Sequence, residues 1–245
     1  MSKLVKKGKP YFRALKTVMQ IRYKPTRFLF LGEEFEKSSL ILSNHEGTDA
    51  PMALEMYLDK PIRFWGAHEM NSGVFKMYGY QSRVYYHEKK HWNIHLARLF
   101  CLIASPVTNL FYSGLNLIST YKDMRFAKTI KESLAAIKAG ENIVVFPEYS
   151  EKGYLPQLEG FFEGFAAFAE HCKKRGIDLP IVVSYFRKNE NTYVFDEPVP
   201  YSELLEKYGD RKSIVAHLLS RCNELGKMPL EAEEAEKSAE KEKIV

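Results

Sequence analysis

Two short stretches, separated by about a hundred residues, carry the side chains best suited to chemistry. Leu40-Ile41-Leu42-Ser43-Asn44-His45-Glu46-Gly47-Thr48-Asp49 passes abruptly from apolar to polar, and Ile143-Val144-Val145-Phe146-Pro147-Glu148-Tyr149-Ser150 does the same. In an open α/β sheet, ligands bind just beyond the carboxyl ends of the strands, so two such strand ends can face one site. His45 is a candidate general base, because imidazole exchanges a proton near neutral pH. Asp49 is a candidate orienter that would fix the tautomer of His45 and stabilise the imidazolium. Together they form the His–Asp half of a catalytic triad without its serine. Gly47 permits the unusual backbone angles that a turn between them would need. No serine or cysteine is placed as a nucleophile beside His45, so the simplest nucleophile is a hydroxyl of the substrate. Glu148 reads as a turn cap, as an acceptor for a polyol substrate, or as a brace for the loop opposite His45.

The elements that must position these residues follow from periodicity. Strands are expected at Lys37–Ser43, Ile62–Gly66, near Leu115–Ser119, and at Asn142–Phe146, Leu179–Phe186 and Thr192–Phe195. Helices are expected at Asp49–Leu58, over about 74–113 with breaks at Gly79 and Pro106, and at Phe161–Lys174 and Tyr201–Leu225. A further helix follows Asp123, a candidate N-cap, with Phe126, Ile130, Leu134 and Ile137 on one face and Gly140 at its end. Alternating strands and helices predict an α/β fold, a single domain with a mainly parallel central sheet flanked by helices.

The 245 residues suffice for one domain with a real core. The net charge of +5 is unevenly spread. Lys3, Lys6, Lys7, Lys9, Arg13, Lys16, Arg22, Lys24 and Arg27 all precede the first acid, Glu33. With Tyr11, Phe12, Leu15, Val18, Met19 and Ile21 among them, residues 1–27 read either as a solvated basic arm or as a segment drawn to anionic lipid. No groove-reading or stacking module accompanies these cations, so nucleic acid is not an expected partner. Residues 28–227 form the expected catalytic domain, and 228–245, rich in Glu and Lys, a flexible tail. Leu99–Tyr121 holds no charge, yet its polar residues and Pro106 favour a buried or membrane-dipping segment over a span. Cys101, Cys172 and Cys222 lie far apart and are expected to pack as free thiols in a reducing compartment. No apolar run near the N-terminus has the form of a secretory signal.

Asn44-His45 with a following Asp49, then Phe146-Pro147-Glu148-x-Ser150, then Phe162-x-Gly164-Phe165-Ala166, then Leu179-Pro180-Ile181-Val182, in this order, resemble the blocks of the glycerolipid acyltransferase superfamily, which includes the 1-acylglycerol-3-phosphate acyltransferases. The similarity covers about Ser38 to Val199. The resemblance implies an α/β acyltransferase with His45 as base and Asp49 as its partner. Asn44, Phe146, Pro147, Glu148 and Ser150 would belong to the substrate-binding blocks. It implies an acyl thioester donor, acyl-CoA or acyl-carrier protein, and a lysophospholipid acceptor such as 1-acylglycerol-3-phosphate. No cofactor or metal is implied, and the location implied is the cytoplasmic face of a membrane, peripheral or monotopic. The chain departs from the family in three respects. Three residues, not four, separate His45 from Asp49. Tyr149, Ser150 and Glu151 stand where the family has Gly, Thr and Arg. No arginine fills the expected phosphate position, where Lys122 and Arg125 are the nearest cations, at the start of a helix whose free amides favour an anion.

Two other functions compete with this reading. His87-Glu88-Lys89-Lys90-His91 fits the H-E-x-x-H pattern of zinc hydrolases, in which two histidines one helical turn apart hold the metal. Lys89 and Lys90 would set two cations beside the dication, and Tyr85, Tyr86 and Trp92 suit an interfacial segment better. The third reading is a membrane-bound relative with a degraded site, suggested by the altered third block.

Overall fold

The computed structural model of the protein describes residues 10–21, 23–35 and 38–229. Lys3, Lys6, Lys7, Lys9, Arg22, Lys37 and the acidic tail from residue 230 lie outside the described residues.

The chain forms α1 (Pro10–Gln20), β1 (Arg27–Phe30), β2 (Leu40–Leu42), α2 (Asp49–Tyr57) and β3 (Ile62–Ala67). A 3-10 turn at His68–Asn71, α3 (Val74–Gly79), a π-helix at Tyr80–Lys89 and the long α4 (Ile94–Leu115) follow. Next come β4 (Ile118–Thr120), α5 (Phe126–Lys138), β5 (Asn142–Val145), the short pair β6 (Glu148–Tyr149) and β7 (Gly160–Phe161), and α6 (Gly164–Lys173). The chain closes with β8 (Pro180–Arg187), β9 (Thr192–Phe195), β10 (Val199–Pro200), α7 (Tyr201–Tyr208) and α8 (Arg211–Lys227). The main sheet has the order β1-β9-β8-β2-β5-β3-β4, with β10 against β8. Its pairings are parallel except β8 with β9 and β8 with β10. The expected α/β architecture with a mainly parallel sheet is thus the observed one.

The central strands are short apolar runs because both faces of the sheet are covered. Leu40, Leu42, Ile143, Val145, Ile181 and Val183 point into a core shared with Phe165 and Phe168 of α6 and Ile214 and Leu218 of α8. Ile41, Val144 and Val182 point the other way, onto Ala50, Ala53 and Leu54 of α2. A smaller cluster, Phe12, Met52, Met56 and Phe111, joins α1, α2 and α4.

Several expectations need correction. Pro106 does not break its helix but sits within α4 on the exposed side, where its missing N–H leaves a carbonyl that solvent can reach. The single helix expected over Tyr201–Leu225 is two, because Gly209 has φ +78° and Asp210 caps α8, its carboxylate accepting from the Lys212 and Ser213 amides. Asp123 acts one turn ahead of α5, accepting from the Arg125 amide at 2.9 Å while the helix starts at Phe126. The helix expected from Phe161 starts at Gly164, since Gly160 and Phe161 pair with β6. The three cysteines are buried and free, as expected.

The basic N-terminal segment contributes α1, an amphipathic helix docked on α4. Phe12 meets the Phe111 ring at 5.3 Å, and Lys16 pairs with Glu55 of α2 at 2.7 Å. The close approach requires Gly114, where an added Cβ would fall 2.2 Å from the Phe12 ring. Gly114→Leu should therefore dislodge α1 and leave the sheet intact. Limited chymotrypsin digestion should cut faster after Tyr11 and Phe12, with the far-UV spectrum nearly unchanged. Wild-type protection of those bonds in the variant would refute the docking role of Gly114.

Candidate active site

β2 and β5 are parallel neighbours in the register Leu42 opposite Val145, so Asn44-His45 and Phe146-Pro147-Glu148 leave the sheet side by side at its carboxyl edge. The Ser43 amide extends the ladder by one bond, to the Val145 carbonyl at 3.1 Å, and the Ser43 hydroxyl meets that of Tyr193 at 2.6 Å. Asn44 is buried, and both ends of its amide are taken by the backbone of Phe186. Its oxygen accepts from the Phe186 amide at 2.7 Å and its nitrogen donates to the Phe186 carbonyl at 3.1 Å. The expectation that Asn44 contacts substrate is thereby corrected: the side chain locks the end of β2 to β8. Each backbone group left unpaired by its loss would cost about 1–3 kcal/mol.

His45 stands at the head of this turn. Its backbone amide donates to Glu148 Oε2 at 2.8 Å, and its ring lies 4.9 Å from those of Phe146 and Tyr154. Its Nδ1 is hydrogen-bonded to the carbonyl oxygen of Gly47. A carbonyl only accepts, so Nδ1 carries the hydrogen and Nε2 holds the free lone pair. The ring keeps some accessible surface, but it is packed among enough atoms that burial, then the Lys89 ammonium, lower its pKa to about 4, with the Gly47 bond opposing and Lys90 adding to the depression. His45 is thus neutral at physiological pH. Burial raises the pKa of Glu148, against the pull of the His45 amide and Lys89. Its Oε1 is buried with no hydrogen-bond partner among the described residues.

Asp49 does not reach His45. Its carboxylate pairs with Lys188 at 2.8 Å, and Glu46 lies 3.9 Å from the same ammonium. The cause is the shortened spacing. Glu46 (φ +40°) and Gly47 (φ +69°) both take left-handed angles, which fold the Gly47 carbonyl under the ring and start α2 at Asp49, facing β8. The expected His–Asp pair is corrected to a His45–Gly47 bond and an Asp49–Lys188 pair.

The other predicted residues divide. Phe146 contacts His45 as described, and Glu148 braces its loop. The Pro147 carbonyl accepts from the Phe162 amide at 2.8 Å, holding the β6–β7 hairpin. The Ser150 hydroxyl donates to Glu159 at 2.9 Å within that hairpin's loop, so its observed partner is Glu159. Arg125 is engaged in a fork with Asp123, with bonds of 2.7–3.0 Å, and stacks on Tyr121. Lys122 lies 5.6 Å from the Phe162 ring centre and acts electrostatically on Lys89, so it belongs to the site's surroundings.

Three contributors were not anticipated. The loop between β6 and β7 brings Tyr154 onto His45. The end of the π-helix brings Lys89 and Lys90 to the Tyr154 ring, their ammonium groups 4.6 and 5.7 Å from its centre. Gly153 (φ +89°) permits this approach, since a Cβ there would sit 3.0 Å from the Lys89 carbonyl. The only signals in the sequence were Gly153 ahead of an aromatic residue and a dilysine inside a motif read for zinc. That motif is not built as the zinc reading requires. The π-helix ends at Lys89, His91 lies beyond it with φ +56°, and His87 Nδ1 is bonded to the Trp92 carbonyl at 2.8 Å. The two histidines are therefore not successive turns of one helix.

No protein-family model matches the chain, and no curated protein matches it. Among solved structures, the chain is similar to the crystal structure of the 1-acyl-sn-glycerophosphate (LPA) acyltransferase PlsC from Thermotoga maritima, at 14% identity and a TM-score of 0.46, over 86% of this chain and 78% of that one. The likeness is one of overall shape, and the reading of the site rests on its own residues.

A depressed histidine pKa has a thermodynamic signature. His45 titrates at about 4 in the folded chain, below its ordinary 6.5, so the unfolded chain binds the proton more readily between those values. The stability tied to the neutral ring is present in full above about pH 6.5 and is lost as pH falls toward 4. Urea midpoints measured from pH 7.5 to 4.5 should fall more steeply for the wild type than for His45→Gln. Parallel curves would mean that His45 is not held neutral by its surroundings.

Proposed function

We propose that the protein transfers a fatty acyl group from an acyl thioester to a hydroxyl of a lysophospholipid or similar amphiphile. The observation that carries this reading is the state of His45: neutral, hydrogen-bonded through Nδ1, and with Nε2 free at the carboxyl edge of the sheet beside Glu148. Such a ring is a proton acceptor in waiting. The order of blocks from Asn44-His45 to Leu179-Pro180 supports acyl transfer in particular.

In the mechanism, the acceptor hydroxyl hydrogen-bonds to Nε2 and attacks the thioester carbonyl, giving its proton to His45 as the new C–O bond forms. The tetrahedral intermediate then expels the thiolate, which takes the proton back from His45 as the C–S bond breaks. No acyl-enzyme is needed and no metal enters. Phe146 and Tyr154 hold the ring plane, and Glu148 holds the loop that carries it.

The acceptor and the product of such a reaction live in a membrane. On α4, Ala97, Cys101 and Ser105 form a buried stripe, while Leu96, Leu99, Leu102, Ile103, Val107 and Leu110 are roughly half to four-fifths exposed. The helix is long and apolar enough to cross a bilayer, yet only 22% of its most apolar window is buried in the protein. An exposed apolar face of this size suits a lipid surface. With α1 docked beside it, and with the exposed Arg13 on α1 and Arg98 on α4, the fitting surface is an anionic leaflet. We assign the protein to the cytoplasmic face of such a membrane, lying on it.

His45→Ala should lower acyl transfer by about 10²–10⁴-fold, as loss of a general base does, while the circular dichroism spectrum stays native. The assay is thiol release from acyl-CoA or acyl-carrier protein in the presence of lysophospholipids. A folded variant with wild-type turnover would end the mechanism.

Leu99→Glu with Ile103→Glu should reduce co-sedimentation with phosphatidylglycerol vesicles several-fold, because two charges would have to enter the apolar layer. Undiminished sedimentation of the double variant would move the membrane contact away from α4.

A further inference from the structure

Lys89 and Lys90 are cations in an unusual position. Both project from the end of the π-helix onto the turn that carries His45. Lys89 is half-buried, its Nζ 4.6 Å from the centre of the Tyr154 ring, which itself touches His45. Lys90 Nζ lies 3.4 Å from the position a Cβ on Gly47 would occupy, and 6.0 Å from the Tyr85 ring centre. Among the described residues neither ammonium has a carboxylate within ion-pair distance. The nearest acid, Glu148, acts on Lys89 through space while its oxygen Oε2 is spent on the His45 amide. Burial lowers the pKa of Lys89, with the Glu148 carboxylate opposing and the Lys122 ammonium adding to the depression. Aromatic faces compensate in part, since a ring steadies a cation with about 0.5–2 kcal/mol. Among the described residues no anion completes that compensation at ion-pair distance.

We infer that Lys89 and Lys90 form the clamp for a phosphate monoester on the acceptor, set over the His45–Gly47 turn and standing in for the arginines this chain lacks. The inference rests on the acyl-transfer reading and names the head group that reading left open. Arg125 is removed from contention by its fork with Asp123, and Lys122 lies close enough to Lys89 to add a third charge at the rim. A glycerophosphate held here would carry its free hydroxyls toward His45, a few ångströms from the clamp. Tyr154 would act as a positioning residue, keeping Lys89 extended and the imidazole upright.

The arrangement also couples binding to basicity. The charged and titratable groups around His45 are Lys89 and Lys90 at the end of the π-helix, Tyr85 on that same helix, Tyr154 from the hairpin loop, Glu148 from β6, and Glu46 and Asp49, which share the single ammonium of Lys188. The two lysines are the cations that disfavour the imidazolium. A phosphate dianion seated between them would cancel that field, so His45 would become a better base when the acceptor is in place.

The test is binding, which needs no turnover. Glycerol 3-phosphate and coenzyme A would each be titrated into the full-length protein, with affinity read by calorimetry and the His45 ring by its Cε1–H resonance. The proteins compared would be wild type, Lys89→Met with Lys90→Met, and Lys89→Arg with Lys90→Arg. Glycerol 3-phosphate should bind at least tenfold more weakly to the methionine variant, the arginine variant should restore binding, and coenzyme A affinity should stay within about twofold. Saturating glycerol 3-phosphate should raise the pH at which His45 titrates in wild type and not in the methionine variant. Equal glycerol 3-phosphate affinity in all three proteins would overturn the clamp. A loss confined to coenzyme A would overturn it too, by assigning the cations to the donor's phosphates. Lysine-dependent glycerol 3-phosphate binding by a protein that transfers no acyl group would uphold the clamp and refute the reaction.

Discussion

The geometry of the site hangs on one hydrogen bond, from the His45 amide to Glu148 Oε2, which ties the loop after β2 to the hairpin after β5. The carboxylate pays heavily for its place, because a buried charge is costly unless it is bonded, and its second oxygen has no partner. What it secures is a series of contacts. With Glu148 fixed, β6 pairs with β7 and the intervening loop folds back. That loop carries Gly153 to the Lys89 carbonyl and Tyr154 to the imidazole. The parallel pairing of β2 with β5 brings the two loops together, and this bond ties the His45 backbone to the hairpin.

The sheet was legible in the sequence because its strands are buried on both sides and therefore read as unbroken apolar runs ending at polar residues. Leu40–Leu42, Asn142–Val145 and Pro180–Arg187 all lie within their expected limits or one residue beyond them. The convergence of His45 and Glu148 followed from the same logic. Other features depended on information that periodicity does not carry. Left-handed angles at Glu46 and Gly47 turned Asp49 away from His45, and no residue pattern requires a glutamate to adopt φ +40°. Asn44 looked like a site residue because it precedes His45, whereas burial makes it a bridge to Phe186. Lys89 and Tyr154 come from segments remote from both blocks. Their meeting is a tertiary event, foreshadowed locally by Gly153 and by the dilysine at Lys89 and Lys90.

The exchange of a carboxylate for a carbonyl behind the histidine changes what the base can do. A charged partner stabilises the imidazolium, whereas a carbonyl fixes the tautomer and contributes much less to the charged form. With Asp49 committed to Lys188, the charges that act on the titration of the ring are those of Lys89 and Lys90, both positive. At rest the site therefore resists protonation. That is a handicap for a general base, and a negative charge arriving with the substrate would lift it by offsetting Lys89 and Lys90.

The π-helix connects this electrostatic arrangement to the apolar outer face. Near its middle, Tyr86 packs against Trp92 at 4.8 Å and against Phe100 of α4 at 5.2 Å. Inside, Gln81 accepts from the Ser105 hydroxyl of α4 at 2.8 Å, a buried polar tie between the two helices. Three and four residues beyond Tyr86, Lys89 and Lys90 meet Tyr154 and the His45 turn. One short element thus touches both the face suited to lipid and the group suited to proton transfer. π-Helical turns are uncommon and concentrate at functional positions, since their i→i+5 bonding widens the helix and is kept only where it re-aims a side chain. Here the π-helix ends at Lys89, with Lys90 as the residue that follows it. An amphiphile lying along α4 with its tail in the apolar layer would present its head group at the end of the π-helix, where Lys89, Lys90 and the neutral imidazole converge.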